Sequence, residues 1–175
     1  MRFPRGAWPG LAAVALAGAA CESAPSAEDL TPVQTLEDFT LRQTRGGKLA
    51  YLLRAERAVL RENDQKAALT EPRMELFENG KTSVRVRGRT GNADLSTSQV
   101  HLASSVVLEL LQERSTMKTE ELFYDDKRSG FFTEGPVVLE RPGAIVRGRG
   151  FEADHRGTSA RIFNQESVIS TDGKR

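Results

Sequence analysis

From Leu36 onward the chain breaks into short apolar runs divided by turn-forming residues at Gly46-Gly47, Glu62-Asn63-Asp64, Glu78-Asn79-Gly80, Asp125-Asp126, Pro142-Gly143 and Arg156-Gly157. Short runs with such punctuation predict strands. Within them a quartet of apolar, basic, small and charged residues recurs at Leu53-Arg54-Ala55-Glu56, Val86-Arg87-Gly88-Arg89, Met117-Lys118-Thr119-Glu120 and Val146-Arg147-Gly148-Arg149, with starts 33, 31 and 29 residues apart. Its first and third residues are apolar or small and its second and fourth are charged, which is the period-two signature of a strand with one buried face. The small third residue suits a corner where two layers of backbone approach closely.

A second marker, an apolar residue leading through small or polar groups into another apolar run, starts at Leu69, Leu102, Phe132 and Ile162, 15 or 16 residues after its quartet. The later copies continue into Val106-Val107-Leu108, Val137-Val138-Leu139 and Val168-Ile169, and the first continues through Pro72 into Met74-Glu75-Leu76. Leu49, Leu52, Leu53 and Leu60 would also fit one face of a helix. The β-branched and glycine-rich composition of the other three copies favours strands for all four. Units of about 31 residues that cannot close a core alone must stack on their neighbours. The expected fold is therefore all-β, an elongated twisted jellyroll of stacked antiparallel strands.

Period-two counting directs Leu53, Leu69, Met74, Leu76, Val86, Leu102, Val106, Leu108, Met117, Phe132, Val137, Leu139, Val146, Phe151 and Ile162 toward the interior. Such a row serves a solid core or an apolar channel equally well, and the pattern alone leaves both open.

The start of the chain is different in kind. Arg2 and Arg5 precede an apolar stretch from Trp8 to Ala20 that ends in small residues, the layout of a secretory signal. As a helix it would reach only about 20 Å, short of a hydrocarbon core of roughly 30 Å. Leu16-Ala17-Gly18-Ala19-Ala20-Cys21 resembles a bacterial lipobox, with Gly18 where the pattern prefers leucine. Cys21 is the candidate lipidation site. The expected organisation is a signal peptide over 1–20, a polar tether over 21–35, a β-domain over 36–170 and a polar tail over 171–175. With a single cysteine the chain has no internal disulfide and no cysteine-rich zinc site. The whole sequence holds 25 Lys and Arg against 24 Asp and Glu, and loss of Arg2 and Arg5 with the signal leaves 23 against 24. That balance argues against a nucleic-acid partner, which calls for a basic domain.

Enzymatic constellations are thin. His101 lies in an alternating strand and His155 at a turn, neither beside a nucleophile motif. Glu120-Glu121 and Asp125-Asp126 are adjacent pairs, which strand geometry sends to opposite faces rather than across a bond. Gly148-Arg149-Gly150 lacks the following helix of a phosphate loop. The Val84 to Arg89 run reads as a solvated strand face. No catalytic residue, cofactor or metal is expected.

The order of Leu36-Glu37-Asp38-Phe39-Thr40-Leu41, Leu53-Arg54-Ala55-Glu56, Leu69-Thr70-Glu71-Pro72, Lys118 to Asp125, Gly135-Pro136-Val137 and Gly148 to Asp154 resembles the LptC family over nearly all of residues 36–169. The resemblance implies a periplasmic jellyroll that takes lipopolysaccharide from an inner-membrane ABC transporter and passes it to a periplasmic bridge protein of similar fold. Acyl chains would occupy the apolar interior, favoured by about 25 cal/mol per square ångström buried. Sheet edges would meet the partners, with Leu36 to Leu41 toward the transporter and Ala160 to Ile169 toward the bridge. Family members commonly keep an uncleaved membrane helix, whereas a lipid on Cys21 would be the anchor here. An envelope adaptor without a lipid path and the soluble bridge itself are the competing functions.

Overall fold

The computed structural model describes residues 33–61 and 65–170, and these belong to one compact unit. The expected signal peptide over 1–20, Cys21 and the expected polar tail over 171–175 lie outside the described residues. Eleven strands and no helix make up the described fold: β1 (Val33–Arg45), β2 (Lys48–Arg61), β3 (Lys66–Thr70), β4 (Arg73–Glu78), β5 (Lys81–Arg87), β6 (Thr90–Asp94), β7 (Gln99–Leu110), β8 (Ser115–Asp125), β9 (Gly130–Arg141), β10 (Ala144–Asp154) and β11 (Ala160–Ser170). The expected all-β jellyroll of stacked antiparallel strands is what forms. Leu49 to Leu60 is extended within β2, not helical. β1 begins at Val33, so pairing reaches three residues into the stretch assigned to the tether.

All strand pairs are antiparallel, and the sheet divides between β2 and β7. The first half of β2 pairs with β4, which leads through β5 to the second half of β7. The second half of β2 pairs with β3, which leads through β6 to the first half of β7. Each long strand thus contributes one end to a lower half-sheet and the other end to an upper one. The halves fold toward each other, with Tyr51 of the lower half meeting Tyr124 of the upper half edge to face at 5.6 Å. One cluster of buried side chains fills the space between them.

The chain changes halves at a line of corners, where an L-residue or glycine adopts positive φ or an extra residue breaks the ladder. Asp38 (φ 52), Ser104 and Ser105 (φ 63 and 59) and Gly150 (φ 80) mark the corners of β1, β7 and β10. Pro72 has no N–H to give a ladder, so here the turn is complete and β3 and β4 are separate strands. The corner still closes its hydrogen bonds, with Glu71 N–H donating to Arg89 O at 2.8 Å and Gly88 N–H to Pro72 O at 3.1 Å.

All four quartets end at this line. Their third residues, Ala55, Gly88, Thr119 and Gly148, are buried, and their second and fourth are exposed. A Cβ on Gly88 would stand 3.0 Å from Ala103 O. The small residue is therefore required by the backbone of the neighbouring strand, as the corner reading holds.

Aspartates fasten the turns at the free margin of the upper half. Asp94 accepts from the N–H groups of Ser96 and Thr97 at 3.0 Å each and from the Ser96 hydroxyl at 2.6 Å. These bonds, led by that from Ser96, hold its pKa down to about 2. A carboxyl depressed in the folded state stabilises above its unfolded pKa of about 3.9 and stops doing so as pH falls through the folded value. Amide protection at Ser96 and Thr97 is expected to fall between about pH 4 and pH 2, and Asp94→Asn is expected to remove that dependence. Hydrogen exchange resolved by residue checks both.

Candidate lipid path and its edges

The cross-strand register turns the scattered apolar positions of the sequence into rows. In the lower half one row runs Leu41, Leu53, Met74, Val86, Leu108, Met117, Leu139, Val146 and Val168, each directly opposite the next. It crosses nine strands, about 38 Å at the usual strand spacing of roughly 4.8 Å. Leu53, Met74, Leu108 and Met117 have no exposed surface, Leu41 is half-buried, and Val168 at the far end is 49% exposed. A second row in the upper half runs Leu60, Ala67, Ala93, Val100, Tyr124, Phe131, Ala153 and Ala160. The two rows line opposite walls of one interior.

Of the positions directed inward by alternation, Leu53, Leu69, Met74, Leu76, Val86, Leu102, Val106, Leu108, Met117, Val137, Leu139, Val146 and Phe151 are buried in that interior. Ile162 packs against it from β11 but is half-buried. Phe132 is a correction. It pairs with Phe123 and stacks on it at 5.3 Å, in an outward row that continues to His101, whose ring lies 4.3 Å from that of Phe123. Alternation in β9 runs Val137, Gly135, Thr133, Phe131, so Phe131 is the inward aromatic and is 1% exposed. Matching Phe132 to Leu102 by residue class ignored that parity. Tyr51, Leu122 and Tyr124 also belong to the interior, and counting from Leu53 would have found Tyr51.

The free margins of the two halves are held together at two places. Arg45, beside the β1–β2 turn, donates to Asp126 in the β8–β9 turn, and the Tyr124 hydroxyl donates to the same carboxylate at 2.9 Å. Burial, followed by the hydrogen bond to Asp126, pushes the Tyr124 hydroxyl pKa far up, so it remains a donor. Farther along, the Ser83 hydroxyl donates to His155 O at 3.3 Å, and Gly157 stands so close to Val84 that a Cβ would lie 3.0 Å from its methyl.

Of the histidines and carboxylates considered for catalysis, His155, Asp125 and Asp126 hold turns or margins by hydrogen bonds. His155 contacts Ser129 O through Nδ1 at 3.1 Å. Asp125 accepts from Lys127 N–H at 2.8 Å and from Gln99 Nε2 at 3.0 Å. Glu120 and Glu121 are both exposed because the ladder is irregular between Thr119 and Phe123, which departs from the expected opposite faces. The Nε2 of His101 has no hydrogen-bond partner and lies 3.6 Å from the Glu121 carboxylate. Among the described residues no cluster of His, Cys, Asp and Glu could hold a metal ion.

The sequence profile described as "Lipopolysaccharide-assembly, LptC-related" matches residues 11–168. The chain belongs to the LptC-related family. Membership gives it a role in lipopolysaccharide transport in the Gram-negative envelope, in a family of transport components rather than enzymes. No curated protein matches the LptC-related chain. Its two edge strands bear on that role. Val33, Leu36, Phe163, Val168 and Ile169 are the large hydrophobic side chains exposed among the described residues, and all five lie on β1 or β11. Exposed apolar side chains on an unpaired strand suit addition of a partner strand.

Proposed function

We propose that this protein is a periplasmic lipopolysaccharide-binding component that accepts its cargo from an inner-membrane ABC transporter at β1. It passes the acyl chains between the two half-sheets and delivers them at β11 to a bridge protein of similar fold. A lipid on Cys21 holds the chain at the membrane. The observation that carries this reading is the apolar row from half-buried Leu41 to exposed Val168, which runs from one unpaired edge to the other.

The interior is filled by its own side chains, so acyl chains enter by parting the half-sheets at their free margins. Parting exposes apolar walls, at a cost of about 25 cal/mol per square ångström. The incoming chains cover the same walls and offset that cost. The contacts at Asp126 and Ser83 are the ones that must open.

A filled interior also favours a second reading, an adaptor that joins two partners through its edges. Purification of the full chain from its native envelope, followed by lipid and partner analysis, separates them. Co-purified lipopolysaccharide in stoichiometric amount supports transport through the fold. Both partners without lipid would favour the adaptor.

A further inference from the structure

The face of the lower half-sheet that looks away from the interior carries cations in register. Arg54, Arg73 and Arg87 stand directly opposite one another on β2, β4 and β5, and the same row continues through Val107, Lys118, Val138 and Arg147. Like charges directly opposite on one face destabilise a sheet. Two members of the row are compensated: Arg54 lies 3.6 Å from Glu75 and Lys118 lies 2.7 Å from Glu140. Glu75 is also taken by Arg85 at 3.3 Å. Arg73 and Arg87 have no ion pair or hydrogen bond to another described side chain, although each is the other's cross-strand neighbour.

The second residue of each quartet supplies Arg54, Arg87, Lys118 and Arg147, so the repeat that builds the interior also builds this row. The three arginines border a cleft of about 270 Å³, together with Arg85, Val107 and the carboxylates Glu75 and Glu109, and the buried Met74 and Val86 form its floor. Each guanidinium carries a fork of N–H donors that matches the oxygens of a phosphate, and the register sets Arg73 and Arg87 on neighbouring strands of one face. Half-buried Val107 adds an apolar wall, which the acyl-chain ends nearest a lipid headgroup can cover and a free inorganic ion cannot.

We propose that Arg73 and Arg87 form a binding site for the phosphate of an anionic phospholipid headgroup. The site lies outside the path for cargo, because the neighbouring Met74 and Val86 face the interior from the same strands. It stands or falls separately from the transport function.

The test uses the full chain in neutral dodecylmaltoside micelles, with the arginine Nε–Hε signals followed by NMR. Phosphatidylglycerol, phosphatidylcholine and inorganic phosphate are titrated separately. The Arg73 and Arg87 signals are expected to shift saturably with phosphatidylglycerol, at about tenfold lower concentration than with inorganic phosphate, because the fork recognises the bound ester and Val107 adds contact. Arg73→Gln with Arg87→Gln should abolish the accompanying shifts at Arg54 and Arg85. Arg73→Lys with Arg87→Lys, which keeps the charge and loses the fork, should weaken them, and serves also if the glutamine variant misfolds. No shift, an equal response to phosphatidylcholine, or equal binding of inorganic phosphate overturns the proposal.

Discussion

Replacing Phe151 by alanine is expected to lower the free energy of unfolding by about 3–5 kcal/mol, the usual range for a buried phenylalanine. Phe151 has no exposed surface and follows the Gly150 corner, so its ring enters the interior where β10 changes halves. Its cross-strand neighbours are Thr133 and Ile162, both smaller than the ring. A domain of this size has about 5–15 kcal/mol in total, so the loss is a large fraction. Urea denaturation of the full chain, followed by the β-sheet circular dichroism signal, measures it. A change below about 1 kcal/mol would mean that the interior collapses freely around the gap.

Gly148→Val is expected to detach β11 from β10. A Cβ at Gly148 would lie 2.5 Å from Asn164 O and 2.6 Å from the Ile162 Cγ2, and backbone atoms of β11 cannot yield as a flexible side chain does. Overpacking of this kind costs about 1–3 kcal/mol. Here the strain is relieved most cheaply at an edge strand, so hydrogen exchange should quicken along Ala160 to Ile169 and remain slow in β7 and β8. Gly135→Ala is the matched control, since its Cβ would meet nothing closer than the Thr133 hydroxyl at 3.4 Å. The adaptor and transport readings both need β11, so the Gly148 variant should lose the partner bound at that edge.

The repeat was legible because each quartet sits wholly before its corner, where strict alternation holds. Leu53, Val86, Met117 and Val146 therefore fell on one row, and the small third residues marked the corner itself. The end strands were legible from the stacking of the units, which leaves an unpaired strand at each end. At the corners alternation changes phase, so counting carried across one misplaces residues. Ser104 and Ser105 are two adjacent residues at positive φ, a conformation glycine would have announced and serine does not. The irregularity between Thr119 and Phe123 changes which residues of β8 face inward, and the misplacement of Phe132 follows from aligning β9 across such breaks. The turn over 95–98 was missed although Asp94 and Ser96 make it through side-chain bonds, the same chemistry that Asp125-Asp126 announced. The arginine row was visible only as a solvated face, since adjacency across β2, β4 and β5 depends on register.

Photo-crosslinking in living cells tests most directly whether lipid travels between the half-sheets. A benzophenone side chain is placed at Met117, Phe131 or Leu139, which face the interior, and at the outward neighbours Lys118, Phe132 or Val138. The prediction is lipopolysaccharide adducts from the first set and none from the second. Equal adducts from both sets, or adducts to protein alone, would contradict a path through the fold.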